Sequence, residues 1–473
     1  MELFNSIISD ISNVLWTYII IVVLVASGVW FTLRTHFVQL RMLPEMLRLL
    51  VPGGSKKHSS GAVSSFQAFC VSTASRVGVG NIAGVAIAIV TGGPGAIFWM
   101  WVIAFIGSAT GFIESTLAQI YKLPRGKHSF HGGPAYYIQN RLKQPGVAKL
   151  FAVLLAITFG LIYVSVQANT IALAVQTAFE VPPVMTAVVL TLLTAISITG
   201  GMLRIARITA YFVPIMAGLY LLTAFAVIIM NIDKVPSMFA LIIHDAFTPQ
   251  AAVGGGIGTT ILTGVRRGLF SNEAGEGSVP NAAATAHVSH PVKQGLVQAF
   301  GVYVDTWIVC TATAFIVLLT EQYTIGGDLT GIELTQKSLE SIFGSLAPGA
   351  VAIMILLFAF SSVIGNYYYG EINIAFFELK TKFPLMFYRV LVVIMAAFGC
   401  VAQLPLVWNL SDIFMGFLAL TNLYAIARLA KYAYIALEDY IEKKRSGTVE
   451  PDFTPEVMGD TTGIHAWGIE NSK

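Results

Sequence analysis

Two glycine-interrupted apolar segments hold most of the groups in this sequence that could grip a small charged molecule. One runs Ser72-Thr73-Ala74-Ser75-Arg76-Val77-Gly78-Val79-Gly80-Asn81-Ile82-Ala83-Gly84. The other runs Arg266-Arg267-Gly268-Leu269-Phe270-Ser271-Asn272-Glu273-Ala274-Gly275-Glu276-Gly277-Ser278. A helix that stops and restarts frees backbone groups that a continuous helix would spend on itself. At the first segment the amides around Val79 to Ile82 open a new helix, where N–H groups and the helix dipole hold an anion such as a carboxylate. Just before them, the carbonyls from Ala74 to Val77 suit a sodium ion. At the second segment a half-helix ending near Leu269 and Phe270 would offer carbonyls to an ammonium. Carboxylate at one break and ammonium at the other describe an amino-acid zwitterion. Gly80 and Gly84 also have helix-packing spacing. That explains Gly84 but not the polar cluster around it, which is costly in lipid. Gly78 to Ala83 spells the dinucleotide fingerprint GxGxxA, but no strand–helix–strand context surrounds it.

Further polar groups sit in apolar runs. Ser361 and Ser362 place adjacent hydroxyls one turn after the Phe358 carbonyl, a hard-oxygen set for sodium, or hydroxyls bonded back to their own helix. Gln167 and Asn169 are amides at bilayer depth, fit to grip a substrate or to bridge helices. Arg76, Arg266 and Arg267 face a supply of Glu114, Glu273, Glu276, Asp305 and Glu371, read as structural ion pairs or gates. Asp412 reads as a solvated or gating residue near the outer end of the last span. The three cysteines and eight histidines form no disulfide framework, metal spacing or HExxH pattern.

The elements that must position these groups follow from composition. Of 473 residues, 56% are hydrophobic and only 11% charged, and the mean hydropathy is +0.74. The net charge of +3 gives no reason to expect a nucleic-acid partner. Stretches able to span a membrane, about 20 residues each, fall near 12–33, 66–91, 95–120, 150–178, 183–199, 209–231, 250–287, 295–319, 350–378, 385–400 and 406–430. The second and the seventh are the interrupted ones. Lys and Arg alternate between connections: Arg34 to Lys57, Lys122 to Lys149, Arg204 and Arg207, Lys293, Lys380 and Lys382, then Arg428 to Arg445. The positive-inside rule then puts the N-terminus outside and the C-terminus in the cytoplasm. The first basic residue, Arg34, follows the first apolar run, so no cleavable signal is expected.

The fold class expected is an all-α polytopic membrane protein with eleven transmembrane helices. Residues 1–35 form an extra N-terminal helix and 36–60 an interfacial helix and loop. Residues 61–231 and 232–430 are two five-helix sets of opposite orientation, each near its start carrying a broken helix, the layout of an inverted repeat. Residues 431–473 are a cytoplasmic tail, disordered from 446. The long outer loop 321–349 carries a short helix around Glu333 to Phe343.

At these motifs the chain resembles the alanine/glycine:cation symporter family, members of the LeuT-type amino-acid transporters. The residues that carry the likeness are Ser75 to Gly84, Val166-Gln167-Ala168-Asn169, Gly268 to Gly275 and Tyr368-Tyr369-Gly370-Glu371; it runs from about residue 12 to 440. The resemblance implies sodium-driven, or sometimes proton-driven, uptake of a small neutral amino acid such as alanine or glycine across the plasma (inner) membrane, with no other cofactor and no covalent chemistry. By similarity, the substrate lies among Gly78, Val79, Gly80, Asn81, Gln167, Phe270, Ser271, Asn272 and Asn366. Its carboxylate meets the amides of Val79 and Gly80, and its ammonium the carbonyls near Phe270. Sodium lies between the Ala74 and Val77 carbonyls and the group Phe358, Ser361, Ser362. The family often has Thr where this chain has Val79, and Trp where it has Asn366. An amide in place of an indole opens space and adds a donor and an acceptor, which points to glutamine as a substrate. The oligomeric state is open, a monomer being the simplest expectation. A membrane enzyme would need a nucleophile–base pair or metal cluster, a channel a continuous polar stripe, and a nutrient sensor a sizeable soluble domain; the sequence has none of these.

Overall fold

The computed structural model describes residues 2–51, 63–125, 129–198, 202–248, 258–378 and 381–467. Apart from a two-stranded ladder pairing Leu123–Pro124 with Phe130–His131, its regular structure is helical. Eight helices are long and apolar enough to cross a membrane, or nine if the bent pair Ser65–Arg76 and Gly80–Gly92 counts as one span. Each of the eleven expected stretches overlaps helix among the described residues. Two are short: Pro183–Ser197 has 15 residues, and the seventh is divided into Thr259–Asn272 and Val279–Ala283. The start of that seventh stretch, 250–257, lies outside the described residues.

Local chemistry explains many of the boundaries. Ser64 and Gln67 form a reciprocal capping box at the start of Ser65–Arg76, satisfying two otherwise orphan amides. Prolines open the helices that start at Pro145, Pro183, Pro291, Phe383 and Leu404, where their missing N–H costs nothing. The apolar faces of Pro183–Ser197 and of residues 211–230 stay exposed, with Val188, Leu192, Ile215 and Leu222 turned outward, as lipid-facing helices require.

The centre of the molecule is polar as well as apolar. The helix Gly95–Ile120 packs along Pro291–Val302, and Ser108 Oγ reaches the Ala299 carbonyl at 2.9 Å. The described part of the segment expected to be interfacial holds two short helices, Val38–Arg41 and Leu43–Leu50, and the loop helix spans Gly331–Phe343. A helix the sequence reading missed, Val235–Ala246, follows the sixth span.

The C-terminal segment departs from expectation. Up to residue 467 it is folded onto the basic end of the molecule rather than disordered. The Phe453 amide bonds to the Ser289 carbonyl at 2.8 Å, and its ring meets Trp467 at 5.0 Å. Trp467 Nε1 donates to the Gln119 carbonyl at 2.9 Å, and the Lys122 ammonium lies between Phe130 and Trp467. Arg141 pairs with Asp460 at 2.7 Å, which holds that carboxyl below the usual range. The segment is polar in composition, but three well-spaced apolar anchors, Phe453, Met458 and Trp467, dock it.

Close helix approach depends on a few glycines. In Phe383–Val401, a Cβ on Gly399 would come within 2.2 Å of the Ser165 carbonyl oxygen, whereas one on Gly146 would meet nothing. Gly399→Ala is therefore expected to lower the melting temperature of the purified protein, with an overpacking cost of about 1–3 kcal/mol. Gly146→Ala should leave it unchanged or slightly raised. Equal melting temperatures for the two variants in a thermal unfolding assay would contradict this packing.

Candidate functional site

The two helix breaks meet. A Cβ placed on Gly80 would lie 2.9 Å from the Phe270 ring and 3.2 Å from Ser271 Cα. One on Gly78 would lie 2.3 Å from Ser362 Oγ and 3.1 Å from Gln167 Oε1. Three elements thus close on two glycines, and any side chain there would push them apart.

At the first break the helix ends at Arg76 and Val77 turns extended, with ψ 94°. The chain restarts as a π-helical turn, Gly80–Gly84, and the two half-helices make an angle of 51°. Two amides leave the helical ladder. That of Gly78 bonds to Asn81 Oδ1 at 2.9 Å, and that of Val79 to Gln167 Oε1 at 3.2 Å. In a continuous helix the Gly78 amide would go to the Ala74 carbonyl. That carbonyl instead accepts from Ser362 Oγ at 2.8 Å, while the same hydroxyl lies 3.2 Å from the Phe358 carbonyl. Ala74, Phe358 and Ser362 of the expected sodium set are therefore joined. Val77 is buried beside them in the chain, and its amide closes the helix on Thr73. Ser361 donates to the Phe358 carbonyl of its own helix at 2.8 Å.

The second break lies further along than expected. The helix continues to Asn272, so the Leu269 carbonyl is still bonded, by the Glu273 amide at 2.8 Å. Gly268 is a packing glycine, with Ile103 2.4 Å from where its Cβ would be. The turn is made by Glu273 (φ 56°), Gly275 (φ 97°) and Gly277 (φ 81°), the two glycines occupying a backbone region that other residues reach only at a cost. The Ala274 amide bonds to Asn272 Oδ1 at 3.0 Å and the Gly275 amide to Glu114 Oε1 at 3.2 Å. Those amides are the helical partners of the Phe270 and Ser271 carbonyls, which are thus freed beside Gly80.

Most of the other nominated residues surround this junction. Asn81 Nδ2 donates to Asp305 Oδ1 at 2.7 Å and to Ser271 Oγ at 3.0 Å, and Ser271 Oγ donates to Asp305 Oδ2 at 2.5 Å. Asn272 Nδ2 reaches Thr306 Oγ1 at 3.2 Å. Phe270 lies between the rings of Tyr163 and Trp408, each 4.8 Å away. Asn366 is buried, its Oδ1 2.7 Å from Ser75 Oγ, while its Nδ2 has no partner among the described residues. Ser75 Oγ is also 2.8 Å from Glu273 Oε1. One hydroxyl proton cannot serve two acceptors. Rotating the Asn366 amide by half a turn gives Ser75 both a donor and an acceptor, and leaves the Asn366 oxygen free. Asn169, by contrast, bridges helices away from the junction, donating to the Gly399 and Ala402 carbonyls at 2.9 and 2.8 Å.

The ion pairs differ from those expected. Arg267 pairs with Asp412, and Arg266 approaches the same carboxylate at 3.9 Å. Asp412 is 3% exposed, so it is a buried counter-ion and not a solvated group. Glu371 pairs with Arg389 at 3.3 Å. Arg76 has no carboxylate in salt-bridge contact among the described residues; its Nη1 bonds to the Gln298 carbonyl at 3.2 Å, and Nε and Nη2 are unpartnered there. The sequence reading missed Asp305 as the anchor of Asn81 and Ser271. Its signal was a lone acid in the apolar run Val302 to Val309. The rings flanking Phe270 had no signal, since aromatic residues are frequent throughout.

Comparison with known proteins bears on this geometry. The sodium:alanine symporter family pattern matches residues 1–455. The chain is 49% identical to the probable sodium/glutamine symporter GlnT of Bacillus subtilis (strain 168), covering 100% of this chain and 98% of that one. It is 39% identical to the sodium/alanine symporter AgcS of Methanococcus maripaludis, covering 90% and 95%. In fold it is similar to a manganese transporter of Eremococcus coleocola, with 12% identity, a TM-score of 0.51 and coverage of 87% and 84%. A near full-length family match and close relatives along the whole chain lead to one conclusion: this multi-pass membrane protein belongs to the sodium:alanine symporter family.

Proposed function

We propose that the protein takes up small neutral amino acids with sodium by alternating access, with alanine, glycine and glutamine as substrates. The observation that carries this reading is the meeting of the two breaks. The Gly78 and Val79 amides, held by side-chain oxygens, and the Phe270 and Ser271 carbonyls, whose helical partners bond elsewhere, belong to the two segments that touch at Gly80. An amino-acid carboxylate displaces the Gln167 oxygen from the Val79 amide, and the ammonium takes the carbonyls of the second break. Sodium enters between the Ala74 and Val77 carbonyls and Phe358, Ser361 and Ser362, taking the place of the Ser362 proton on the Ala74 carbonyl. The ion thereby ties the first broken helix to Ala347–Ala375, which is how its binding reaches the substrate site.

The broken helices fall near the starts of residues 61–231 and 232–430, which supports a LeuT-type core of two inverted five-helix repeats behind an extra N-terminal helix, eleven spans in all. The basic loops support a plasma-membrane orientation with the N-terminus outside and the C-terminus, folded onto the basic end, in the cytoplasm. The names of the relatives, one a sodium/glutamine and one a sodium/alanine symporter, agree with this substrate class. The buried Asn366 amide, one atom of which has no partner among the described residues, favours glutamine, whose side-chain amide can supply the matching donor or acceptor.

Proteoliposomes given labelled alanine, glycine and glutamine should accumulate them only under an inward sodium gradient; uptake driven equally by a pH gradient alone would remove sodium from the mechanism. Ser362→Ala deletes one sodium ligand and is expected to raise the sodium concentration for half-maximal uptake about tenfold, the equivalent of one hydrogen-bond-strength contact of about 1.4 kcal/mol. An unchanged sodium dependence would exclude Ser362 from the ion site. Asn366→Trp should depress glutamine uptake more than alanine uptake, and equal losses would remove the side-chain amide from substrate selection.

A further inference from the structure

Four carboxylates are buried in the interior, Glu114, Glu273, Glu276 and Asp305, each at most 2% exposed, and the guanidinium acting on all of them is that of Arg76. The Arg267 charge is already matched by Asp412. A buried carboxylate persists as an anion only where donors replace its hydration. Three of the four have them. Asp305 accepts from Ser271, Asn81 and Thr306 at 2.5, 2.7 and 3.1 Å. Glu114 accepts from the Gly275 amide at 3.2 Å and Asn422 Nδ2 at 2.7 Å. Glu273 accepts from Ser75 at 2.8 Å and Ser278 at 2.6 Å.

Glu276 is different. Its Oε2 has one neutral neighbour, the Tyr163 hydroxyl at 3.1 Å, and its Oε1 has no partner among the described residues. The charged groups that face it are Glu273 on the same break, Glu114 from Gly95–Ile120 and Arg76 from Ser65–Arg76. Two like charges and one opposite leave no net counter-charge for a third anion. Tyr163, in turn, packs its ring on Phe270 at the substrate junction, so the carboxyl lies one side chain behind the site.

We propose that Glu276 is a proton-binding site of the transport cycle: it is the neutral acid whenever the junction is closed, and it exchanges its proton with water only when the junction opens. The Tyr163 hydroxyl donates to Oε2, and with the proton on the carboxyl Oε1 carries no charge that requires a partner. When the group is ionised, the closed state must bury an unpaired charge, so the carrier cannot close. Transport therefore fails as pH rises, whichever cation drives it. The functional consequence rests on the symport reading above; the protonation of Glu276 does not.

Two measurements separate these. The first is infrared difference spectroscopy of the purified full-length protein against Glu276→Gln. The wild type should show the carbonyl stretch of a protonated carboxylic acid that the variant lacks, and identical spectra would overturn the proposal whatever the protein transports. The second is the pH profile of sodium-driven alanine uptake in proteoliposomes. The wild type should lose activity on the alkaline side. Glu276→Gln, a permanently neutral isostere, should keep sodium-driven uptake while losing that alkaline limb. An alkaline limb shared by both proteins, or absent from the wild type, would overturn the gating role. Should Glu276→Gln fail to fold, Tyr163→Phe carries the test. Removing the one neighbour of the carboxyl should move the alkaline midpoint up by about one pH unit, a tenfold change in proton affinity for one hydrogen bond. An unmoved midpoint would count against the proposal.

Discussion

The rest of the structure depends on a contact between backbones. Gly80 lies so close to Phe270 and Ser271 that a single added carbon would collide with the Phe270 ring and crowd the Ser271 backbone. This brings the loose ends of two helices together where lipid offers nothing to bond to. Within a membrane every amide and carbonyl must find a partner inside the protein. The amides of the first break therefore borrow side-chain oxygens from Asn81 and Gln167, and those of the second borrow them from Asn272 and Glu114. Such partners differ from the rungs of a helix in one respect that matters for function. A side chain can rotate away and be replaced, whereas a helical rung cannot.

The surroundings make that exchange possible without loss of shape. Asp305 grips Asn81 and Ser271 together, fixing one break against the other. On another side Arg267 lies over Trp408 at 4.5 Å while pairing with Asp412, so a charge is neutralised against the ring that backs Phe270. Neither is a simple gain in stability, since taking the Asp305 carboxylate, or the Arg267 and Asp412 ions, out of water costs much of what the contacts return. Their value is that each has one well-defined arrangement, so the flexible groups at the junction move against a fixed frame.

The first break was legible because Gly78, Gly80 and Asn81 stand together in an apolar run, where a continuous membrane helix has no use for two glycines and a polar amide within four residues. The second was displaced in the reading by about one turn. Gly268 looks like a breaker on paper, yet Ile103 fills the space where its side chain would be, and the chain stays helical past it. The residue that ends the helix is Glu273, in a left-handed conformation that no composition rule favours for glutamate. Which acid would pair with which arginine was not legible either. Asp412 lies 145 residues from Arg267, and pairing at that distance is decided by packing. The same holds for the C-terminal segment, whose polar composition hides anchors that have meaning only against the Ser289 and Gln119 carbonyls and the Lys122 ammonium.

If the proposed site is the ligand site, it is built from borrowed partners and selects its ligand by replacement. Whatever displaces Gln167 from the Val79 amide must supply an oxygen of equal or greater acceptor strength there, or a buried N–H is left bare at a cost of about 1–3 kcal/mol. A carboxylate does so and adds charge. The freed carbonyls of Phe270 and Ser271 demand a donor on the same small molecule, and the close approach at Gly80 leaves no room for a long spacer between the two. An α-amino acid meets both demands with a single carbon between its charges. In the proposed site, selection among amino acids is then left to the side chain and to the groups that face it, among them Asn366, whose buried amide has an unpartnered atom among the described residues. On the proposed reading, the backbone breaks define the class of ligand, and a single buried amide distinguishes members within it.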